Sequence, residues 1–336
     1  MTNKAKAAPG KGRMFTFGEP ESVLDRRDVA QYAEAWRNGR WYEPPVAMRD
    51  LARLLNVNPH HRSAIDVKRN LLVSSFVPST MLSRGEFSKW AFDFLWAGNG
   101  FIERVDNIGG RAMALKHSMA INTKRGVKDG EYFFVNNRWQ VHDFKPGSIF
   151  HLIEHDATQE IYGLPGYLSA MQSALLNEES TLFRRKYFKN GAHAGFVFYL
   201  NEETIDDESA DEIEESLKGT KGKGNFRNIF IHAPKGKKDG VQIIPIGDAS
   251  AKDEFLNIKN TTRDDILASH RVPPQLLGVV PSNTGGFGDV EKAENTFMRV
   301  EILPLQARLL ELNEWLGVEV VRFVPWAPPA AAASGG

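Results

Sequence analysis

Residues 165–189 read PGYLSAMQSALLNEESTLFRRKYFK, and the fold turns on how this stretch is packed. Pro165 suits the first turn of a helix and Asn190-Gly191 suits its end. At 1.5 Å per residue the segment would be roughly 37 Å long. Its apolar residues fall on two stripes. Leu168, Met171, Leu175 and Leu182 form one; Leu176, Phe183 and Tyr187 form the other, rotated by about 110° at ~100° per residue. A helix on one core needs a single stripe, whereas two stripes separated by polar positions suit a helix touching a neighbour on each side, as in a closed ring. A helix buried inside one domain satisfies the same pattern, and the spacing alone does not choose.

Upstream, residues 22–79 read mostly helical. Val29, Tyr32, Ala33 and Trp36 recur at helical spacing before Gly39, and Asn58-Pro59 is a start signal for a helix carrying Ile65, Leu71 and Leu72. A further helix is expected over 86–97, with Phe87, Trp90, Ala91, Phe94 and Leu95 on one face as core. From Phe101 to Glu154 the period changes to short β-type runs, 101–105, 132–135 and 139–141, with Asn136-Asn137 as a hairpin turn. Together these regions read as one α+β domain.

Downstream, nine acids and no base fall in 201–215, whereas seven bases and one acid fall in 216–240. Ile205, Ile213 and Leu217 give the acidic part the thin apolar edge of a surface helix. Residues 226–233 and 241–246 read as two strands joined by a basic loop. A helix over 251–270 shows Phe255, Ile258, Thr262 and Ile266 on one face and must stop before Pro273-Pro274. A glycine-rich loop, 282–289, leads into a helix over 290–316 that Pro304 should kink. A last strand is expected over 318–324.

The chain has 336 residues, 42% of them hydrophobic, with no apolar run near the ~20 residues of a membrane span. Residues 1–21 read as a short disordered basic arm without the apolar centre of a secretory signal, and the Pro- and Ala-rich tail from 327 to 336 also reads as disordered. With no cysteine, disulfides, thiolate metal sites and cysteine nucleophiles are excluded. The 42 basic and 42 acidic side chains cancel, so any contact with nucleic acid should be local or transient.

Catalytic motifs are sparse. His151, Glu154 and His155 fit H-x-x-E-H, but they sit among β-type runs. Strand positions four apart lie about 13 Å from each other, too far to share one zinc. The stretch Gly219-Thr220-Lys221-Gly222-Lys223-Gly224 has the composition of a phosphate loop without its spacing. No cofactor or metal is expected. Arg184, Arg185, Lys186 and Lys189 could meet nucleic acid, or could simply complement a helix C-terminus.

Three segments, taken in order, resemble the portal (connector) proteins of tailed bacteriophages, specifically the short-chain subgroup from temperate phages with contractile tails. They are 160–171 running into 182–193, the run His270-Arg271-Val272-Pro273-Pro274-Gln275-Leu276-Leu277-Gly278, and Asn283 to Asp289 leading into the helix broken by Pro304. The likeness extends from about Ser22 to Val324. It implies a homo-oligomeric ring, usually a dodecamer, at one capsid vertex of the virion, assembled in the host cytoplasm. Residues 22–163 would form an α+β wing, 164–191 a stem helix and 192–250 a small α/β clip. A second stem helix would cover 251–272, a turn and tunnel loop 273–289, and a kinked helix with a final wing strand 290–326. The larger relatives' helical crown would be absent or much reduced.

The same resemblance implies a conduit for double-stranded DNA, contacted transiently and without sequence preference. Terminase large subunit, head-completion protein and major capsid protein would be partners, with no membrane and no enzymatic activity of the chain's own. Ser282, Asn283, Thr284, Gly285, Gly286, Phe287 and Gly288 would face the channel. Lys218, Lys221, Lys223, Arg227, Lys235, Lys237 and Lys238 would dock partners through the clip. The rival readings are a zinc peptidase through His151 and His155, and a monomeric nucleic-acid adaptor through the basic loop.

Overall fold

A computed structural model describes residues 36–189, 196–200, 229–232, 241–245, 250–279 and 289–327. The chain divides into two compact units: 24–178 with 260–336, and 1–23 with 179–259. Each unit has its own sheets.

The larger unit opens with a hairpin, β1 (Trp36–Asn38) against β2 (Trp41–Glu43). This corrects the helical reading of Trp36; Val29, Tyr32 and Ala33 lie outside the described residues. The cause is local: Gly39 sits at φ 65° in the turn, and Trp41 donates its indole N–H to Glu43 at 2.9 Å. Three helices follow, α1 (Met48–Leu54), α2 (Pro59–Ser75) and α3 (Arg84–Ala97). Asn58 caps α2 as its spacing predicts, its side chain accepting the His61 N–H at 2.9 Å with Pro59 in the first turn. Ser83 caps α3, which ends on Gly98 at φ 66°.

Two antiparallel three-stranded sheets come next. One has the order β4 (Ala112–Ser118), β3 (Asn99–Asp106), β8 (Ile149–Ile153). The other runs β5 (Thr123–Arg125), β6 (Tyr132–Val135), β7 (Val141–Asp143). The turn at Asn136 is a wider loop than expected. Its side-chain oxygen accepts the N–H groups of Arg138 and Gln140, so β7 begins only at Val141.

Two clusters form the core. In the first, Phe76 stacks on Phe87 at 3.9 Å, and Trp90, Leu267, Ile302, Leu309 and Leu312 close around them. The second joins Leu51, Trp96, Phe101, Tyr162, Leu168 and Met171. Full burial of such side chains stabilises by about 1.5–3 kcal/mol each.

The long helix α4 (Met171–Lys189) starts six residues later than its sequence suggests, because Gly166–Ala170 is a 3₁₀ turn. The entry is tight: a Cβ on Gly98 would lie 2.8 Å from the Leu164 carbonyl carbon and the Pro165 nitrogen. Tyr167 also hydrogen-bonds the Trp96 carbonyl. Leu168 and Met171 are buried in the second cluster and Leu175 packs beside it, whereas Leu176 and Leu182 are exposed. Phe183 is half-buried.

In the smaller unit, β9 (Phe196–Leu200) lies between β10 (Ile229–His232), which is parallel to it, and β11 (Val241–Pro245), which is antiparallel. Residues 229–232 and 241–245 are strands as expected; β9 had no reading. The acidic segment and basic loop lie outside the described residues.

Helix α5 (Ser250–Ser269) buries Thr262 and Ile266, as its periodicity implies. The kinked C-terminal helix is four pieces: α6 (Val290–Phe297), a π turn over Met298–Ile302, α7 (Leu303–Leu309) and α8 (Glu311–Leu316). Pro304 has no N–H to close an ordinary turn onto Val300, and the preceding Leu303 N–H reaches back to the Met298 carbonyl instead. Residues 318–324 do not form the expected strand. Asn313 accepts the N–H groups of Val320 and Val321 and donates to the Val321 carbonyl, all at 2.8 Å, leaving only a single bridge from Phe323 to Phe76.

Candidate functional site

Three segments of the larger unit meet over α2: the 3₁₀ turn before α4, the end of α5, and the π turn. Pro273-Pro274 ends α5 in the sequence, and its last turn closes in a particular way. There Val272 donates to Leu267 at 3.0 Å and Arg271 to Ala268 at 2.9 Å, the double bond of a helix stop that normally places glycine at the left-handed residue. Here that residue is Arg271, at φ 55°. A side chain in this conformation costs about 1 kcal/mol or more. The Arg271 guanidinium, in return, lies 3.0 Å from Glu301 Oε2.

Glu301 is the hub of a buried ion cluster. Its Oε1 accepts from Lys68 Nζ at 2.5 Å, and the Lys68 and Glu301 side chains are 10% and 6% exposed against 71% for Arg271. Burial pushes the Lys68 ammonium down from its usual range, and the Glu301 carboxylate opposes that shift. A cavity of about 190 Å³ opens beside the cluster, walled in part by Phe94, Tyr167, Arg271 and Arg308.

Two turns earlier on α2, His61 Nδ1 lies 2.9 Å from His270 Nε2, and Tyr167 stacks on His270 at 5.1 Å. Burial holds both imidazoles neutral, lowering His61 to about 4; His270 falls to about 2, helped by His61 and Lys68. Burial likewise raises the Tyr167 hydroxyl. Farther along, Asn177 bonds Thr262 at 2.8 Å and Ser173 bonds Asp265 at 2.9 Å, tying α4 to α5. Chemically this is a joint: its charges and rings are matched to one another and fix three segments on one helix.

The structure gathers none of the channel or docking residues named from sequence. Residues 282–288 and all seven clip bases, Lys218, Lys221, Lys223, Arg227, Lys235, Lys237 and Lys238, lie outside the described residues. Arg184 and Arg185 are exposed on α4; the side chains of Lys186, Tyr187 and Lys189 are not described. His151 lies in β8 with Nε2 2.9 Å from Asn99 Oδ1 and its ring stacked on Phe101 at 4.1 Å, while His155 is exposed beyond the strand. No metal-binding cluster occurs among the described residues. Sequence reasoning gave no role to His61, Lys68, Tyr167 or Glu301; Tyr167, within 160–171, and His270-Arg271, just before Pro273-Pro274, stood in noticed motifs.

The class to which this architecture belongs follows from solved structures. A subunit of the neck of a native gene transfer agent particle, computed with C12 symmetry, matches with a TM-score of 0.57 at 19% identity, covering 80% of this chain and 81% of that one. A phage portal protein of the HK97 family from Corynebacterium diphtheriae matches at 0.52 and 11% identity, covering 78% and 88%. The fold is that of the portal proteins.

Sequence then fixes the family. A family model described as phage portal protein matches residues 46–324. The probable portal protein of Escherichia phage P2 is 48% identical over 321 residues, 95% of this chain and 93% of that one. The probable portal protein of Haemophilus phage HP1 is 34% identical over 280 residues, 82% and 81%. The chain belongs to the phage portal protein family.

Proposed function

We propose that the chain assembles into a closed ring at one vertex of a phage head, through which double-stranded DNA passes during packaging and ejection. Family membership over residues 46–324 carries this reading. In it, α4 and α5 are the stem, residues 192–250 are the clip that docks the terminase large subunit and the head-completion protein, and the 22–163 body meets the major capsid protein. No helix among the described residues is long and apolar enough to cross a membrane.

Charge supports a conduit rather than a clamp. Fixed ion pairs to many phosphates would hold DNA in a salt-dependent way, and a net charge of zero avoids that brake. The glycine-rich 282–288 loop, which carries no charge, would follow the duplex. Electron microscopy of the purified full chain tests the ring: annular particles are expected, and a persistent single copy overturns it. Gly285→Pro with Gly286→Pro should leave rings intact and abolish packaging; normal packaging defeats the loop's role.

A further inference from the structure

Helices α6 to α8 carry apolar side chains on two opposed faces. Met298, Ile302, Leu309 and Leu312 face the core and are buried. On the other side, Val300, Leu303 and Leu310 are 54%, 36% and 38% exposed, with Ala307 exposed between them. At ~100° per residue Leu303, Ala307 and Leu310 fall within an arc of about 60°, and Val300, in the π turn, lies one step before them. Their steps of three, four and three residues are those with which one helix seats against another. Thr296 and Glu314, one step beyond at each end, are exposed and polar, so the apolar stripe is bounded.

We propose that this seam, Val300-Leu303-Ala307-Leu310, is where the next copy of the chain packs, helix against helix. The inference rests on the ring reading above and names the surface that reading requires. A ring closes through head-to-tail contacts, so every copy must offer a patch that its own core does not use. The seam is such a patch: it runs along an element whose inner face the core already fills, and its spacing asks for a helical occupant. In the 165–189 segment Leu168 and Met171 are likewise spent inside their own subunit, while Leu176 and Leu182 are exposed.

The test uses the full-length chain. Below the concentration at which wild type forms rings, Leu303→Asp with Leu310→Asp should melt cooperatively with the circular dichroism of wild type. The concentration at which rings form should rise about a hundredfold or more, because a carboxylate cannot be desolvated against aliphatic neighbours. A benzophenone amino acid at Ala307 should, on irradiation, join two copies, with the attachment mapping to a helix of the second. Wild-type-like rings from the double aspartate variant, or attachment only within one chain, overturn the seam while leaving the ring reading standing. A wild-type chain that never forms rings overturns both.

Discussion

Removing the Glu301 carboxylate should be among the most damaging single changes in the body of this protein, and damaging in a way that depends on what remains. In Glu301→Leu, Arg271 is 71% exposed and returns to water, but Lys68, only 10% exposed, is left charged without its partner. Stranding a buried charge costs about 3–5 kcal/mol. In a unit of the size of 24–178 with 260–336 each kcal/mol moves the melting midpoint by about 2–4 °C, so a fall of about 10 °C is expected. Lys68→Met should cost about 1–2 kcal/mol, because Glu301 keeps Arg271 at 3.0 Å. The pair Lys68→Met with Glu301→Leu should recover to within about 1 kcal/mol of wild type, the usual result when a buried ion pair is replaced by apolar groups of similar size. Differential scanning fluorimetry at fixed protein concentration measures all four, concentration mattering because assembly raises the apparent midpoint. If Glu301→Leu melts no lower than Lys68→Met, or the double variant gains nothing over Glu301→Leu, the account of the cluster is wrong.

Two further outcomes are expected. His61 and His270 are held below the ordinary imidazole value by burial, so they contribute stability above pH 6.5 that is lost as pH falls toward their lowered values. The loss should be about 2 kcal/mol per histidine between pH 7 and 5, above the range where carboxylates titrate; a melting-midpoint profile that His61→Gln with His270→Gln fails to flatten contradicts it. At Arg271, Gly should melt higher than Ala by about 1 kcal/mol, since both lose the bond to Glu301 but only glycine adopts φ 55° freely; equal midpoints would remove the strain from the argument.

The sequence displayed those elements whose causes are local. Asn58-Pro59, Pro273-Pro274 and Pro304 each act through a missing N–H, a fixed φ or a side-chain cap, and the structure honours all three. The failures had both local and tertiary causes. Val318 to Val324 have the composition of a strand, but Asn313 takes up the backbone groups that a strand would have paired. Trp36 sits at helical spacing yet pairs across a hairpin that Gly39 closes. The joint itself left little trace, because Lys68 and Glu301 are 233 residues apart and each looks like an ordinary surface charge until burial is known. The channel loop and clip bases that the family resemblance implies would be surfaces that acquire meaning only between molecules.

Asn177 and Thr262 meet within a few residues of the places where α4 and α5 pass from one compact unit into the other. The larger unit therefore fastens its own two open ends before the intervening 179–259 excursion begins and after it returns. A lineage can accordingly rewrite that excursion without disturbing the framework that carries it. Homologues from different hosts should then diverge fastest between these two side chains and preserve the rung itself.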